Sequence, residues 1–405
     1  MTAPLLTFYG DDFTGSSAVM EVLSFAGIPT MLFLEAPDVD VLARFPELQA
    51  VGVAGVARSK NPAWMRAHLP TVFEGLKKLG ASLMHYKVCS TFDSAPETGS
   101  IGVAAELGKL TFNPEWIPLV VGAPAIGRYQ VFGNLFAATG DAVHRLDRHP
   151  VMSRHPVTPM DEADLGRHLS RQTDLQTGCV NFRTMTTGEA DTALKTAISS
   201  GAEIIALDAM DDATLQEAGR MIAEGDTSFA VGSQGVEYAL VAHWRASGQL
   251  AQEHSTPRLT PVDQLFAVSG SCAPTTAAQI DFAQAKGFEI LDFDAAQAVD
   301  PTSLQAETDR VRRMSLQLLS DGRDVLVTSA RGPDSPSLAR MSEAIDRAGI
   351  GYAEANENLG RALGNLVAEI RLAMGLPRAA IGGGDTSGHA LTALQAEDVH
   401  FVAAE

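Results

Sequence analysis

The chain has 405 residues, 45% of them hydrophobic, and a formal net charge of -19 from 30 Lys and Arg against 49 Asp and Glu. The length suits about two to three domains with ample core, and the acidic balance argues against nucleic acid or an anionic membrane as partner. Cys89, Cys179 and Cys272 are odd in number, far apart and outside any CxxC pair. That spacing points to a reducing compartment and away from a disulfide framework or a structural zinc site. No apolar run approaches the roughly 20 residues a membrane helix needs. Met1-Thr2-Ala3-Pro4 runs directly into a strand rather than a signal peptide, so a soluble, cytoplasmic protein is expected.

Leu5-Leu6-Thr7-Phe8-Tyr9 reads as a short strand that ends in Gly10-Asp11-Asp12-Phe13-Thr14-Gly15. A helix over 16–25 follows, closed by Gly27, and then a β-rich run over 28–34. Strand, glycine loop, helix and strand make a βαβ unit, and ligands of such sheets bind at the carboxyl ends of the strands. Asp11 and Asp12 sit at that position. One of them could cap the helix, but adjacent carboxylates in a tight loop repel unless a cation, a lysine or a ligand hydroxyl offsets them.

The alternation continues with a strand over 50–56, a helix started by Asn61-Pro62 and ended by Gly80, and a strand over 82–88. The end of that strand carries Lys87 and then Cys89-Ser90-Thr91-Phe92-Asp93, and Gly99-Ser100 opens the next helix. Lys87, Ser90 and Ser100 form a second polar cluster at the same sheet edge. A buried-type strand over 117–121 leads to Arg128, suited to bidentate pairing with a carboxylate. A hairpin is expected around Gly133-Asn134, an irregular basic connection over 144–155, and a helix start at Thr158-Pro159-Met160-Asp161. Strands over 178–182, 204–207 and 229–231 then alternate with helices over 189–199, 213–224 and 236–245.

Residues 247–264 are polar, carry two prolines and lack a period, which marks a linker. A second α/β series begins with a strand over 265–268, the small-residue loop Ser269-Gly270-Ser271-Cys272-Ala273-Pro274, and a helix capped by Thr275. Strands over 289–293 and 324–328 and helices over 304–319 and 358–374 lead to Ile381-Gly382-Gly383-Gly384-Asp385-Thr386-Ser387-Gly388. Glycines here allow positive φ and close approach of N–H groups to a ligand. A glycine turn opening a helix, expected over 389–395, is a phosphate cradle, although Asp385 or Thr386 could instead cap the helix. The last strand is expected over 399–402.

The fold class is therefore α/β: two α/β domains with mainly parallel sheets and a cleft between them, spanning 1–252 and 265–405 with a linker over 253–264. Carboxylates, Lys87 and Arg128 gather at the strand ends of the first, glycine and hydroxyl turns at those of the second. That division suits a small polar acid facing a nucleoside triphosphate, the arrangement phosphoryl transfer needs.

In order and spacing these motifs resemble the four-carbon acid sugar kinases over essentially the whole chain. Tyr9-Gly10-Asp11-Asp12-Phe13-Thr14-Gly15 is similar to the family's A-D-D-L-T-G, and Pro124 with Gly127-Arg128 to its P-A-F…G-R. His155-Pro156-Val157-Thr158-Pro159 resembles D-P-L-T-P, Val268-Ser269-Gly270-Ser271-Cys272 matches V-S-G-S-C, and Gly383 to Gly388 matches G-G-D-T-S-G. The resemblance implies ATP-dependent phosphorylation of a small sugar acid in carbohydrate catabolism, with the acid on the N-terminal domain and ATP with Mg²⁺ on the C-terminal one. Asp12 is then the expected base, with Asp385 its rival; Asp11, Lys87, Ser90, Ser100 and Arg128 are the expected substrate contacts. Ser269, Ser271, Gly383, Gly384, Asp385 and Thr386 are the expected nucleotide contacts. No nucleic acid or membrane partner is implied, and a homodimer stays open.

Two departures stand out. Where the family shows K-K-I-D-S-T-L-R-G-N-I-G, this chain has Lys87-Val88-Cys89-Ser90-Thr91-Phe92-Asp93 and an insertion before Gly99-Ser100-Ile101-Gly102. The motif's aspartate is Cys89 and its arginine is replaced, which implies a substrate other than the linear tetronate and resembles the 3-oxo-isoapionate kinase subgroup, whose substrate is a branched sugar acid. The family also continues into L-K-x-G-x-x-G beyond the position of Glu405, so the C-terminal domain is expected to be truncated. The alternatives are a sugar-acid-binding or regulatory homologue without catalysis, and a dinucleotide-dependent oxidoreductase, the latter opposed by the lack of G-x-G-x-x-G after any predicted strand.

Overall fold

Strands buried on both faces carry continuous apolar runs, and the helices that cover them carry one apolar stripe each. The computed structural model describes residues 3–155, 157–252, 260–394 and 398–400, with Ala353, Asp385 and 398–400 described by backbone alone. The first series runs β1 (Leu6–Gly10), α1 (Phe13–Phe25), β2 (Thr30–Phe33), α2 (Val39–Leu42), β3 (Ala50–Ala54), α3 (Pro62–Lys77), β4 (Leu83–Lys87), α4 (Ile101–Phe112) and β5 (Ile117–Val120). An antiparallel ribbon interrupts it: β6 (Arg128–Val131), β7 (Asn134–Thr139) and β8 (Ala142–Arg145). The alternation resumes with α5 (Leu165–Leu169), β9 (Thr177–Val180), α6 (Phe182–Thr186), α7 (Ala190–Ser199), β10 (Ile204–Leu207), α8 (Asp212–Glu224), β11 (Phe229–Gly232) and α9 (Gly235–Ala246).

The second series is β12 (Phe266–Ser269), α10 (Pro274–Ala285), β13 (Glu289–Asp292), α11 (Pro301–Ser320), β14 (Val325–Thr328), α12 (Pro336–Ala348), α13 (Tyr352–Met374), β15 (Ala379–Gly382) and α14 (Gly384–Ala393), followed by β16 (Asp398–His400). The chain divides into a unit of Met1–Arg258 with Asp398–Glu405 and a unit of Leu259–Glu397.

The first unit holds a nine-stranded sheet in the order β16-β2-β3-β1-β4-β11-β5-β10-β9. Its pairs are parallel except β16 with β2. One face packs Phe73, Tyr86, Ile101 and Phe229 beneath α3 and α4, and the other packs Leu23, Trp116, Met221 and Leu240 beneath α1, α8 and α9. Each such fully buried large side chain stabilises by about 1.5–3 kcal/mol. In register, Gly10 lies beside both Ala54 and Lys87, so β3, β1 and β4 end at one level and bring their succeeding loops to one edge. The second unit's sheet, β13-β14-β12-β15, is wholly parallel and packs Val268 and Val327 against Leu363 and Leu366 of α13.

Several sequence expectations need correction. The last strand does not extend the second unit's sheet: its backbone pairs antiparallel with β2 at the edge of the first sheet; residues 401 and 402 of the expected strand lie outside the described residues, as do 253–259 of the expected linker. No helix starts at Thr158-Pro159: Thr158 is held by its N–H on His155 Nδ1 at 3.0 Å, and the helix starts at Leu165 under an Asp164 cap. The 144–155 connection opens with the end of β8 and two short 3₁₀ turns. Thr275 does not cap α10, whose N-cap is Ala273 with Pro274 at the first position. The helix expected over 389–395 begins at Gly384, which brings Asp385, Thr386 and Ser387 into its first turn.

Candidate active site

Adjacent carboxylates at the end of β1 must be offset to coexist, and the structure supplies the offset from a residue that sequence patterns do not single out. Arg58 lies in the 3₁₀ turn Ala57–Ser59 after β3. Its Nη2 donates to Asp11 Oδ1 at 2.6 Å and to Asp12 Oδ1 at 2.7 Å, and its Nε donates to Asp11 Oδ2 at 3.3 Å. Asp11 is 2% exposed and both its oxygens face Arg58. Both oxygens hold the guanidinium in place. Burial pushes the Asp11 carboxyl up to about 6 against the opposing pull of Arg58, with Asp12 adding repulsion. Burial works against the Arg58 charge as well, but the charges of Asp11 and Asp12 outweigh it and raise the guanidinium further.

Asp12 differs from its neighbour. It is the N-cap of α1, and its Oδ1 accepts from Gly15 N–H at 2.8 Å as well as from Arg58. Oδ2 takes no hydrogen bond from the described residues, and the side chain is 27% exposed. Lys87, 1% exposed at the end of β4, donates from Nζ to Val88 O at 2.6 Å. A Cβ at position 15 would lie 2.5 Å from Asp12 Oδ1, 2.9 Å from Lys87 Nζ and 3.5 Å from Arg58 Nη2. Three charged groups converge on one glycine, which therefore admits no side chain.

The other expected contacts spread outward. Ser100 is wholly buried and its Oγ caps α4 by accepting from Val103 N–H at 3.2 Å. Ser90 is half-buried in the loop after β4. Arg128 donates from Nη1 to Ile126 O at 3.1 Å, while its Nε is buried without a partner among the described residues. Cys89, at the motif's aspartate position, is pushed up to about 11 by burial and the nearby Asp93 charge, so it is a neutral thiol. Beneath Lys87 on the same strand, His85 Nδ1 lies 2.6 Å from Glu237 Oε1 of α9, both fully buried, which ties β4 to that helix.

In the second unit two glycine turns meet where β12 and β15 pair, Ser269 opposite Gly382. Gly383 has φ +115°, a conformation that needs glycine, and α14 starts there with no side-chain cap. The first backbone N–H groups of such a helix carry no intrahelical partner. Thr386, 5% exposed, presses its Oγ1 against the facing turn, where a Cβ at Gly270 would lie 2.1 Å from it. Ser269 Oγ is buried and unpartnered among the described residues. Ser271 Oγ lies 2.9 Å from Thr276 Oγ1, and α10 likewise starts without a side-chain cap. Asp385 is the second residue of α14. Further along the same sheet edge, a cavity of about 530 Å³ is lined by Asp294, Arg310, Ser329, Arg331, Ser337 and Arg340.

The first site can thus accept a proton from a hydroxyl, and the second can seat an anion on backbone donors. Among the described residues no helix is long and apolar enough to cross a membrane. Residues 6–240 match the family model of a sugar-binding N-terminal domain, and residues 266–404 that of a nucleotide-binding C-terminal domain. The chain is 44% identical over 392 residues to 3-oxo-isoapionate kinase of Paraburkholderia graminis, covering 96% of this chain and 83% of that protein. To 3-oxo-tetronate kinase of Cupriavidus necator it is 28% identical over 395 residues, covering 96% and 86%. It shares its fold with the crystal structure of a Salmonella typhimurium LT2 protein described as a tRNA synthase, at a TM-score of 0.78 and 22% identity over 97% of this chain and 89% of that one. A sugar-binding half followed by a nucleotide-binding half is the make-up of a small-molecule kinase. The chain belongs to the four-carbon acid sugar kinase family.

Proposed function

We propose that the protein transfers the terminal phosphoryl group of ATP to a hydroxyl of a branched sugar acid of the 3-oxo-isoapionate type. The observation that carries this reading is Asp12, a carboxylate fixed through one oxygen by Gly15 and Arg58 while the other takes no bond from the described residues. Asp12 Oδ2 accepts the proton of the attacking hydroxyl, the task of a positioned base in phosphoryl transfer. Arg58 fixes its orientation. Lys87 and Arg128 bind the oxygens of the sugar acid, with Ser90 beside them.

On the nucleotide side, Ser269, Ser271, Thr386 and the first N–H groups of α14 hold the phosphates, and the cavity beside β14 takes the nucleoside. The turns 269–276 and 382–388 contain no lysine or arginine, so a divalent cation suits the site. Mg²⁺ supplies the missing positive charge when bound, with the unpartnered Ser269 hydroxyl and Thr386 as the protein oxygens suited to hold it.

The branched acid is favoured over the linear one on two grounds. Identity to the 3-oxo-isoapionate kinase is 44% against 28% to the 3-oxo-tetronate kinase. At the end of β4, Cys89 and Asp93 stand where the family motif carries its aspartate and its arginine. The test is ADP release with ATP and Mg²⁺ over a panel of tetronates, 3-oxo-tetronates and 3-oxo-isoapionate. Turnover should be highest with the branched acid. Release no greater with any acid than with ATP alone would overturn the reading.

A further inference from the structure

The connection between β4 and α4 holds a carboxylate that the proposed reaction leaves unused. Asp93 is 8% exposed, and its Oδ1 accepts from Thr91 Oγ1 at 2.8 Å. Thr91 Oγ1 in turn lies 3.0 Å from Cys89 Sγ. Arg58 acts on Asp93 through its charge, yet its guanidinium makes its ion pairs with Asp11 and Asp12. Among the described residues no cation makes an ion pair with Asp93. The one hydrogen bond from Thr91 falls on Oδ1, and an ionised carboxylate can accept several more than that.

The backbone nevertheless holds this side chain in one place. Phe92, directly before it, has φ +56°, a left-handed conformation unusual for a bulky residue. Such an outlier persists only where the surroundings enforce it, and here they do. The Phe92 ring is fully buried, and Phe92 N–H bonds to Cys89 O at 2.9 Å. On the other side Ser94 is 2% exposed, with Oγ 3.1 Å from Phe92 O and 2.9 Å from His168 Nε2. Gln172 Nε2 donates to Ser94 Oγ at 2.9 Å. Asp93 is therefore clamped between two buried anchors, in the connection that follows the strand delivering Lys87. Its charge is maintained: burial works to raise its carboxyl, but the Arg58 charge and the hydrogen bonds from Cys89 and Thr91 outweigh that and hold it below the usual carboxylate range.

We propose that Asp93 is a specificity-determining residue of the acceptor site, whose carboxylate accepts a hydrogen bond from the hydroxyl on the branch of a branched sugar acid. The inference rests on the kinase reading above. An ionised carboxylate is acceptor-only, so it welcomes a hydroxyl and repels the acid group of the same substrate. It thereby sets which end of the acceptor faces the β4–α4 connection. A site built to bond a hydroxyl discriminates against analogues lacking it, because its own buried polar group is then left unpaired.

The experiment compares kcat/KM for 3-oxo-isoapionate and a linear 3-oxo-tetronate in the wild type and in Asp93→Asn, with ATP and Mg²⁺ saturating. Asparagine keeps the shape and an oxygen for Thr91 and loses the charge. The branched acid should lose about 30-fold or more in kcat/KM and the linear acid less than about 3-fold, so that the ratio collapses. Parallel losses for both acids, or an unchanged ratio, would overturn the assignment. Asp93→Ser is read by the same ratio should the asparagine variant fail to fold. A wild type that phosphorylates no acid of the panel would instead remove the kinase reading, and this inference with it.

Discussion

On the proposed function, side chains build the acceptor end of the first unit, whereas backbone builds the phosphate turns of the second. Around Asp12 the side chains are charged: Arg58 pairs with Asp11 and Asp12, and Asp11, Lys87 and Asp93 are buried. Around Gly383 the donors are N–H groups and hydroxyls, with no lysine or arginine in either turn. Under that proposal, the difference reflects what each half must recognise. Phosphates are the same in every reaction cycle, and amides that no substitution can remove are sufficient for them. A sugar acid differs from its relatives by single hydroxyls, and only side chains at fixed positions can read those. The first site should therefore respond to changes of charge at constant shape, and the second to changes of shape at constant charge.

The largest effect expected from this contrast is at Asp12. Asp12→Asn should lower kcat by about 10³-fold with little change in affinity for ATP, read by steady-state kinetics beside nucleotide calorimetry. Asp385→Asn is the control: if it lowers turnover more than Asp12→Asn, the base lies in the glycine turn. In the second unit Gly270→Ala brings a methyl to 2.1 Å from Thr386 Oγ1. It should raise the KM for ATP by about 10²-fold and leave sugar-acid binding, measured by calorimetry, unaltered. Equal loss of both ligands would dissolve the contrast.

Arg58→Lys keeps the charge and loses the fork that spans two carboxylates. A fall in kcat of about 10-fold with unchanged KM for ATP is expected, and a wild-type rate would deny Arg58 its positioning role. The smallest effect is on stability. Asp11 has its carboxyl raised to about 6, so it makes the fold lose stability as pH rises from about 4 to 6. His168 is lowered to about 4 by burial and the Arg171 charge, so it makes the fold gain stability over about pH 4 to 6.5. The two nearly cancel. Asp11→Asn should tilt the stability profile upward with pH and His168→Gln should tilt it downward, each by about 3 kcal/mol at most, in denaturant melts across that range.

Much of this was legible in the chain because fully buried parallel strands leave unbroken apolar runs, as at 204–207 and 229–231. Asp12, Lys87 and the paired turns were readable for a related reason: each directly succeeds or ends such a run. Arg58 was not, because it sits in Val56-Ala57-Arg58-Ser59-Lys60, a stretch indistinguishable from a solvated loop. Only the parallel register of β3 with β1 brings it within 2.6 Å of a carboxylate 47 residues away. The start of α14 was hidden by a strong local preference. Three glycines and a run of polar residues favour a turn, yet α14 packs along α13, where a Cβ at Gly364 would lie 2.7 Å from Ala390 Cα. Tertiary contact outweighs propensity there. The Thr158-Pro159 start failed for the opposite reason, since its cap residue is bound by His155 instead.

The pairing of β16 with β2 has a consequence for how the two halves can be separated. The polypeptide leaves the first unit once and comes back to it, so the second unit is spliced into the first at both ends rather than appended to it. A single protease nick in the outgoing crossing would leave two fragments still stapled by the hydrogen bonds of one short ribbon. Dissection into independent halves calls for two cuts.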